Sequence, residues 1–188
     1  AEPDKEVLPK LELDDVPKSV SFPKTKKLAT FGYSPTFYEQ PTNGLTYNSV
    51  SKDLNLSSLE DVNSLMVLSA LFGKVGTKDK DYMQLQEDIS KISGGINASN
   101  HFYVDKSGEV KGRISLSSKF LPDNTVETTN LMFDILQNTD LEDKKRITEL
   151  MFQNFMGFQQ SIVENGHRFA MLGAASLHNK LSFVQENM

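Results

Sequence analysis

Apolar and polar positions along this chain follow three rhythms in turn. In residues 1–26 apolar residues are sparse and set among charges, with Pro3, Pro9, Pro17 and Pro23 between them. Proline fixes φ and steers the preceding residue away from helix, so this stretch predicts an extended arm. Within it, residues 8–13 alternate apolar and polar, as a segment laid along another surface does. Residues 28–33 and 36–40 then read as short strands. The Pro41-Thr42-Asn43-Gly44 turn follows, and residues 45–50 alternate again. Asn-Gly favours a tight hairpin, so an antiparallel pair is expected across it, with Gly44 taking a positive φ.

The rhythm next lengthens to a helical one. Ser57 or Ser58 can cap a helix whose first turn holds Glu60 and Asp61. Residues 65–72 are apolar nearly all round, which predicts burial on most sides. Tyr82, Leu85, Ile89 and Ile92 mark a second helix that ends before Gly94-Gly95. Two strands are expected at 96–104 and 110–117, joined by the turn Asp105-Lys106-Ser107-Gly108. Val126, Leu131, Met132, Ile135 and Leu136 form another helical stripe. Asp140 is the expected cap of a long helix carrying Ile147, Met151, Phe155, Phe158 and Ile162 on one face. Gly166 interrupts it, and helix resumes over 169–184 with the small residues Ala170, Gly173, Ala174 and Ala175. The order predicts an α+β domain over 27–188: a mostly antiparallel sheet with helices on one face.

Composition narrows the classes. A chain of 188 residues, 38% hydrophobic, can hide roughly 70% of its unfolded surface and build a core without staples. Its lack of cysteine excludes disulfides, thiolate zinc sites and a cysteine nucleophile. A net charge of −5 argues against nucleic acid as a partner, because such binding needs a basic surface. Residues 65–72, broken by Ser69, fall far short of the ~20 apolar residues a bilayer needs, so no membrane partner is expected. The charged start at Ala1 and the stop at Met188 inside a helical pattern predict a piece of a longer polypeptide, truncated at its C-terminal end.

Local chemistry points away from catalysis. His101, His167 and His178 are the only histidines, and none belongs to an HxxEH or HxxxH pair. No GxSxG elbow occurs. Gly73-Lys74-Val75-Gly76-Thr77 lacks the order of a phosphate loop and follows a helix, not a strand. The pairs Asp14-Asp15, Glu87-Asp88 and Glu142-Asp143 point to different helix faces and read as solvated charge. Asn55-Leu56-Ser57 and Asn97-Ala98-Ser99 fit the glycosylation sequon, a pattern frequent by chance.

One series of motifs carries a resemblance. Leu71-Phe72-Gly73-Lys74-Val75-Gly76-Thr77, a helix, then Gly94-Gly95-Ile96-Asn97-Ala98-Ser99 resembles the active-site segment of the pitrilysin/insulinase zinc metallopeptidases. That segment runs HxxEHxxFxGT, a helix, and a Gly-Gly or Gly-Ala turn into an Asn-Ala strand. Leu8-Pro9-Lys10-Leu11-Glu12-Leu13-Asp14-Asp15-Val16-Pro17 is similar to the LPxLxxxDIP element ending the inter-half linker of the presequence-protease and falcilysin-like branch. Gln40-Pro41-Thr42-Asn43-Gly44-Leu45-Thr46-Tyr47 is similar to its xPTNGxxY hairpin. Gly166-His167 before an Ala-rich helix follows in the branch's order.

Counting back from Gly76-Thr77 places the three catalytic positions at Val67, Ala70 and Leu71. Valine and leucine offer zinc no lone pair, and alanine takes no proton. The resemblance therefore implies a third, non-catalytic domain with a LuxS/metallopeptidase-like fold and no catalytic or metal residues of its own. Zinc would sit in the parent's N-terminal domain. The domain's partners would be the other domains of that polypeptide and the unfolded peptides cut inside its chamber, with this segment forming part of the wall. Asn43, Gly44, Gly76, Thr77, Gly94, Gly95, Asn97, Gly166 and His167 are expected to be structural. In an active copy Asn97 would stand near the strand that holds peptide by edge pairing. A second reading makes the parent a non-catalytic scaffold, like the core subunits of respiratory complexes. The branch occurs in bacteria, mitochondria and other organelles, so a soluble compartment is implied but not which one.

Overall fold

The structure, a computed structural model, describes residues 12–16, 18–19, 22–27 and 35–188. The chain forms two compact units, Ala1–Asn43 and Gly44–Met188. In the first, a 3-10 turn spans Leu13–Asp15, with the Glu12 amide donating to the Asp15 carboxylate at 2.9 Å. Strands β1 (Thr25–Lys27) and β2 (Thr36–Tyr38) pair antiparallel, Lys26 opposite Phe37. Most of the alternating stretch 8–13, and all of the expected strand 28–33, lie outside the described residues.

Asn43 and Gly44 both take positive φ, 52° and 81°, the geometry of a type I′ turn. The expected pair across them does not form. Strand β2 pairs with β1, whereas β3 (Thr46–Asn55) pairs with β5 (Val110–Phe120). Residues 39–45, Pro41 among them, separate β2 from β3. That is too long a connection for a two-residue hairpin, and Pro41 has no N–H to give a ladder.

The second unit is α+β. Its antiparallel sheet runs in the order β3-β5-β4, with β4 at Ile96–Val104. Six helices accompany it among the described residues: α1 (Leu59–Leu71), α2 (Tyr82–Ile92), α3 (Thr125–Asn138), α4 (Lys144–Glu164), α5 (Gly166–Ser176) and α6 (Lys180–Glu186). Strand side chains alternate between faces. Inward go Ile96 and Phe102 of β4 and Ile114, Leu116 and Phe120 of β5, all buried. The first four pack with Val62 and Leu65 of α1, Leu85 and Ile89 of α2, and Leu131, Met132 and Ile135 of α3. Outward go Ser49, Asp53, Ser115, Arg113, Ser117, Asn97 and His101, so the sheet's second face is polar. One apolar face and one polar face explain why helices gather on a single side.

Three expectations change in detail. Strand β3 runs to Asn55 and β5 to Phe120, beyond the predicted ends. Residues 51–55 are mostly polar, and the ladder with β5 holds them extended. The long helix α4 is capped by Asp143, whose carboxylate accepts from the Arg146 amide at 3.0 Å, not by Asp140, which accepts from the Glu142 amide. The terminal stretch 169–184 is two helices. Leu177 and His178 break it, and the Asn179 side chain caps α6 by accepting from the Leu181 and Ser182 amides. The body of α1 is enclosed on most sides, as its all-round apolar character predicts: within residues 65–72 only Val67, 42% exposed, is open to solvent.

Candidate functional site

The residues of the segment that resembles an active site, 67–99, lie along one path: α1, a glycine loop, α2, a glycine turn and β4. Helix α1 starts at a capping box. The Asp61 amide donates to Ser58 Oγ at 3.2 Å, and the Ser57 and Ser58 amides donate to the Asp61 carboxylate at 2.7 and 2.9 Å. These bonds, that from Ser57 first, hold the Asp61 carboxyl below its ordinary value. The helix carries Val67, Ala70 and Leu71. Val67 is half exposed, Ala70 is partly buried, and Leu71 is 4% exposed in a small second core with Val75 and Leu150. One turn of helix separates Val67 from Leu71, yet the two meet different surroundings. Beside them, the Asn100 amide of β4 donates to Ser69 Oγ at 2.7 Å, and that hydroxyl donates to the Met66 carbonyl at 2.8 Å.

Beyond α1 the chain turns through Gly73, whose φ of 72° suits glycine. The Gln86 side chain of α2 donates to the Gly73 carbonyl. Gly76 is buried so closely that a Cβ there would overlap the Lys80 carbonyl oxygen and the Asp81 backbone. Thr77 closes the loop: its amide donates to the Lys80 carbonyl at 2.8 Å, and the Asp140 amide reaches the Gly76 carbonyl at 2.9 Å. The Gly76-Thr77 pair thus clips α1–α2 to the α3–α4 connection. Thr77 Oγ1 is buried without a hydrogen-bond partner.

The second glycine pair does related work. Gly95 has φ 110°, and the Gly94 amide donates to the Lys119 carbonyl at 2.8 Å, joining the turn to β5. Asn97 follows on the outward face of β4, exposed, in register with Ser117. Strand β4 is at one end of the sheet order. Gly166 and His167 open α5 far along the chain, with open space around Gly166. His101, His167 and His178 fall on β4, on α5 and after α5. Among the described residues no three His, Asp or Glu side chains come together as a metal site. Val67, Ala70 and Leu71 bear no donor atom, so the residues present do not fit zinc.

Sequence reasoning missed a row on the polar sheet face. Arg113 Nε and Nη2 donate to the two Asp53 carboxylate oxygens at 2.5 and 3.0 Å. The guanidinium lies 5.4 Å from the Tyr103 ring centre, and His101 stacks on Tyr103 at 6.1 Å. The register makes Asp53 and Arg113 direct neighbours, a pairing visible in sequence only once β3 is known to reach Asn55. The Arg113 bonds hold the Asp53 carboxyl below its ordinary value, and Asp53 raises the Arg113 guanidinium.

Asp88 is lowered by Lys80, and Asp105 chiefly by the Ser107 hydroxyl. A lowered carboxyl binds fewer protons folded than unfolded. Its stabilisation is therefore present above the ordinary value of 3.8 and lost as pH falls through the folded-state value. Acid titration followed by circular dichroism should show stability falling only below about pH 4. Arg113→Met should remove the Asp53 share of that fall, and an unchanged profile would count against this pairing.

The sequence profile of the family described as "Peptidase M-16C associated" matches residues 1–188. The chain belongs to this family. It is 26% identical over 187 residues to "Presequence protease, mitochondrial" of Danio rerio, covering 98% of this chain and 18% of that protein. With the protein of the same name in Yarrowia lipolytica the figures are 30% over 178 residues, 90% and 17%. With "Protein HypA" of Clostridium perfringens they are 28% over 177 residues, 89% and 18%. The chain thus spans less than a fifth of the length of these curated relatives. For this peptidase-associated chain the motif order read from the sequence and the family agree. No helix among the described residues is long and apolar enough to cross a membrane.

Proposed function

We propose that this chain is the third, non-catalytic domain of a presequence-protease-like zinc metalloendopeptidase, forming part of the wall of a chamber in which unfolded peptides are cut. The observation that carries the reading is a family frame kept around three apolar positions. The clip at Gly76-Thr77 and the turn at Gly94-Gly95 persist, while Val67, Ala70 and Leu71 offer no ligand and no base. Zinc and the water-activating carboxylate would come from an N-terminal domain of the same polypeptide. The polar outer face of the sheet supports the wall role, because a hydrated surface would not hold apolar peptide segments. The relatives are named as mitochondrial or are bacterial, which supports a soluble compartment of either kind.

The test has two arms. Protein of these 188 residues, purified without metal affinity steps, should contain no stoichiometric zinc by elemental analysis and should leave quenched peptides intact. The complete polypeptide should carry zinc and cleave them in a chelator-sensitive way. One zinc per chain with cleavage in the short form would overturn the assignment. A complete polypeptide without HxxEH would establish the scaffold reading instead.

A further inference from the structure

We infer that the outer stripe of the C-terminal half of α4 is an interface, and that its occupant is an uncharged apolar surface from the same polypeptide beyond these 188 residues. The inference rests on the reading above in one respect only, that the chain is part of a longer one. Helix α4 is anchored through its N-terminal half. Leu150 is buried against Leu71 and Val75, with Ile147 and Met151 packed beside it. The positions that continue this anchoring side along the helix, four, seven and eleven residues on, are Asn154, Gly157 and Ser161. The line through Leu150 therefore turns polar and small just where the helix leaves the core, whereas the line through Met151 stays apolar with Phe155, Phe158 and Ile162 and has no core left to meet.

Phe155 and Ile162 continue the line of Met151 past the core, and Phe152, Met156 and Val163 lie opposite Leu150. Phe152, Phe155, Met156, Ile162 and Val163 are 64%, 54%, 49%, 46% and 88% exposed. Helix α5 covers only the flank of this half, where Phe158 meets Phe169 edge-on at 5.9 Å. A single exposed apolar side chain is ordinary, but five on one helical stripe mark a contact surface. The stretch 150–163 also has no charged residue, in a chain that is 24% charged. A stripe without charge selects an apolar partner and excludes one recognised by ion pairs. Relatives of which this chain covers only 17–18% have most of their length available to supply that partner.

The experiment is site-specific photo-crosslinking in the complete polypeptide. p-Benzoylphenylalanine is placed singly at Phe155, at Val163, and at Gln153 on another side of the same helix. Positions 155 and 163 are expected to crosslink several-fold more than 153, within one polypeptide, to peptides outside these 188 residues. Crosslinks at the mass of two chains would assign the stripe to a second copy and overturn the inference. So would crosslinks confined to the 188 residues, or none above the Gln153 level. Zinc content and peptide cleavage of the unlabelled complete polypeptide read the functional proposal separately, so either can fail while the other stands.

Discussion

Gly76→Ala is expected to destabilise the protein by about 3 kcal/mol, at the upper end of the cost of overpacking a tight site. The added methyl would meet the Lys80 carbonyl oxygen and the Asp81 backbone, which cannot swing aside as a side-chain end can. Relief requires opening the Thr77–Lys80 bridge and, with it, the Asp140 amide bond to the Gly76 carbonyl. Gly94→Ala is the matched control. Its methyl would meet only the stem of Lys119 at 2.9 Å, and that side chain can rotate away. The expected cost there is below about 1 kcal/mol. Urea unfolding midpoints at constant m-value measure both. Equal costs would mean that Gly76 is kept for some reason other than the close approach.

The same contrast shows how much of the fold was legible. Elements with strong periodicity and a clear stop were readable: α2 runs from Tyr82 to Ile92, and β4 occupies Ile96–Val104, as their spacing predicts. In each case local capping or alternation agrees with tertiary packing. The end of β3 was not readable, because Lys52, Asp53 and Asn55 give no apolar alternation. What extends them is the partner strand, through pairs such as Asp53 with Arg113. The break at Leu177–Asn179 was hidden because Leu177, Leu181 and Val184 preserve helical spacing across it. Only the Asn179 cap separates the two helices.

The candidate site divides in the same way. The order of its motifs was legible, since glycines at Gly44, Gly73 and Gly95 answer to positive φ that the chain itself requires. The state of the apolar triad was not. Val67, Ala70 and Leu71 read as equivalent hydrophobic residues on α1. Whether each faces solvent or core depends on Leu150, which arrives from α4 far along the chain. The stripe on α4 was legible as one face of the helix, but how far along it burial extends was not: Ile147 and Met151 pack against the second cluster. The same expected face contained Phe155, Phe158 and Ile162, and the structure leaves these half exposed. A periodic stripe shows that a surface wants burial, not which surface supplies it.

Restoring the catalytic pattern on α1 should therefore destabilise the protein, with no active centre recovered. Val67→His is expected to change stability by less than about 0.5 kcal/mol, because the side chain is 42% exposed. Leu71→His should cost about 2–5 kcal/mol: it removes a leucine from the cluster with Val75 and Leu150. It also sets a polar imidazole into that apolar cluster. Ala70→Glu, at a partly buried position, should fall between the two. The triple variant would then be less stable than any single one, and zinc would have to recover that loss before it could bind. Urea unfolding of the singles and the triple, with and without added zinc, tests the order. A triple variant with an unchanged midpoint that took up one zinc per chain would show that the helix is still a metal site lacking only its ligands. The expected result says that packing has already turned one of the three positions into core.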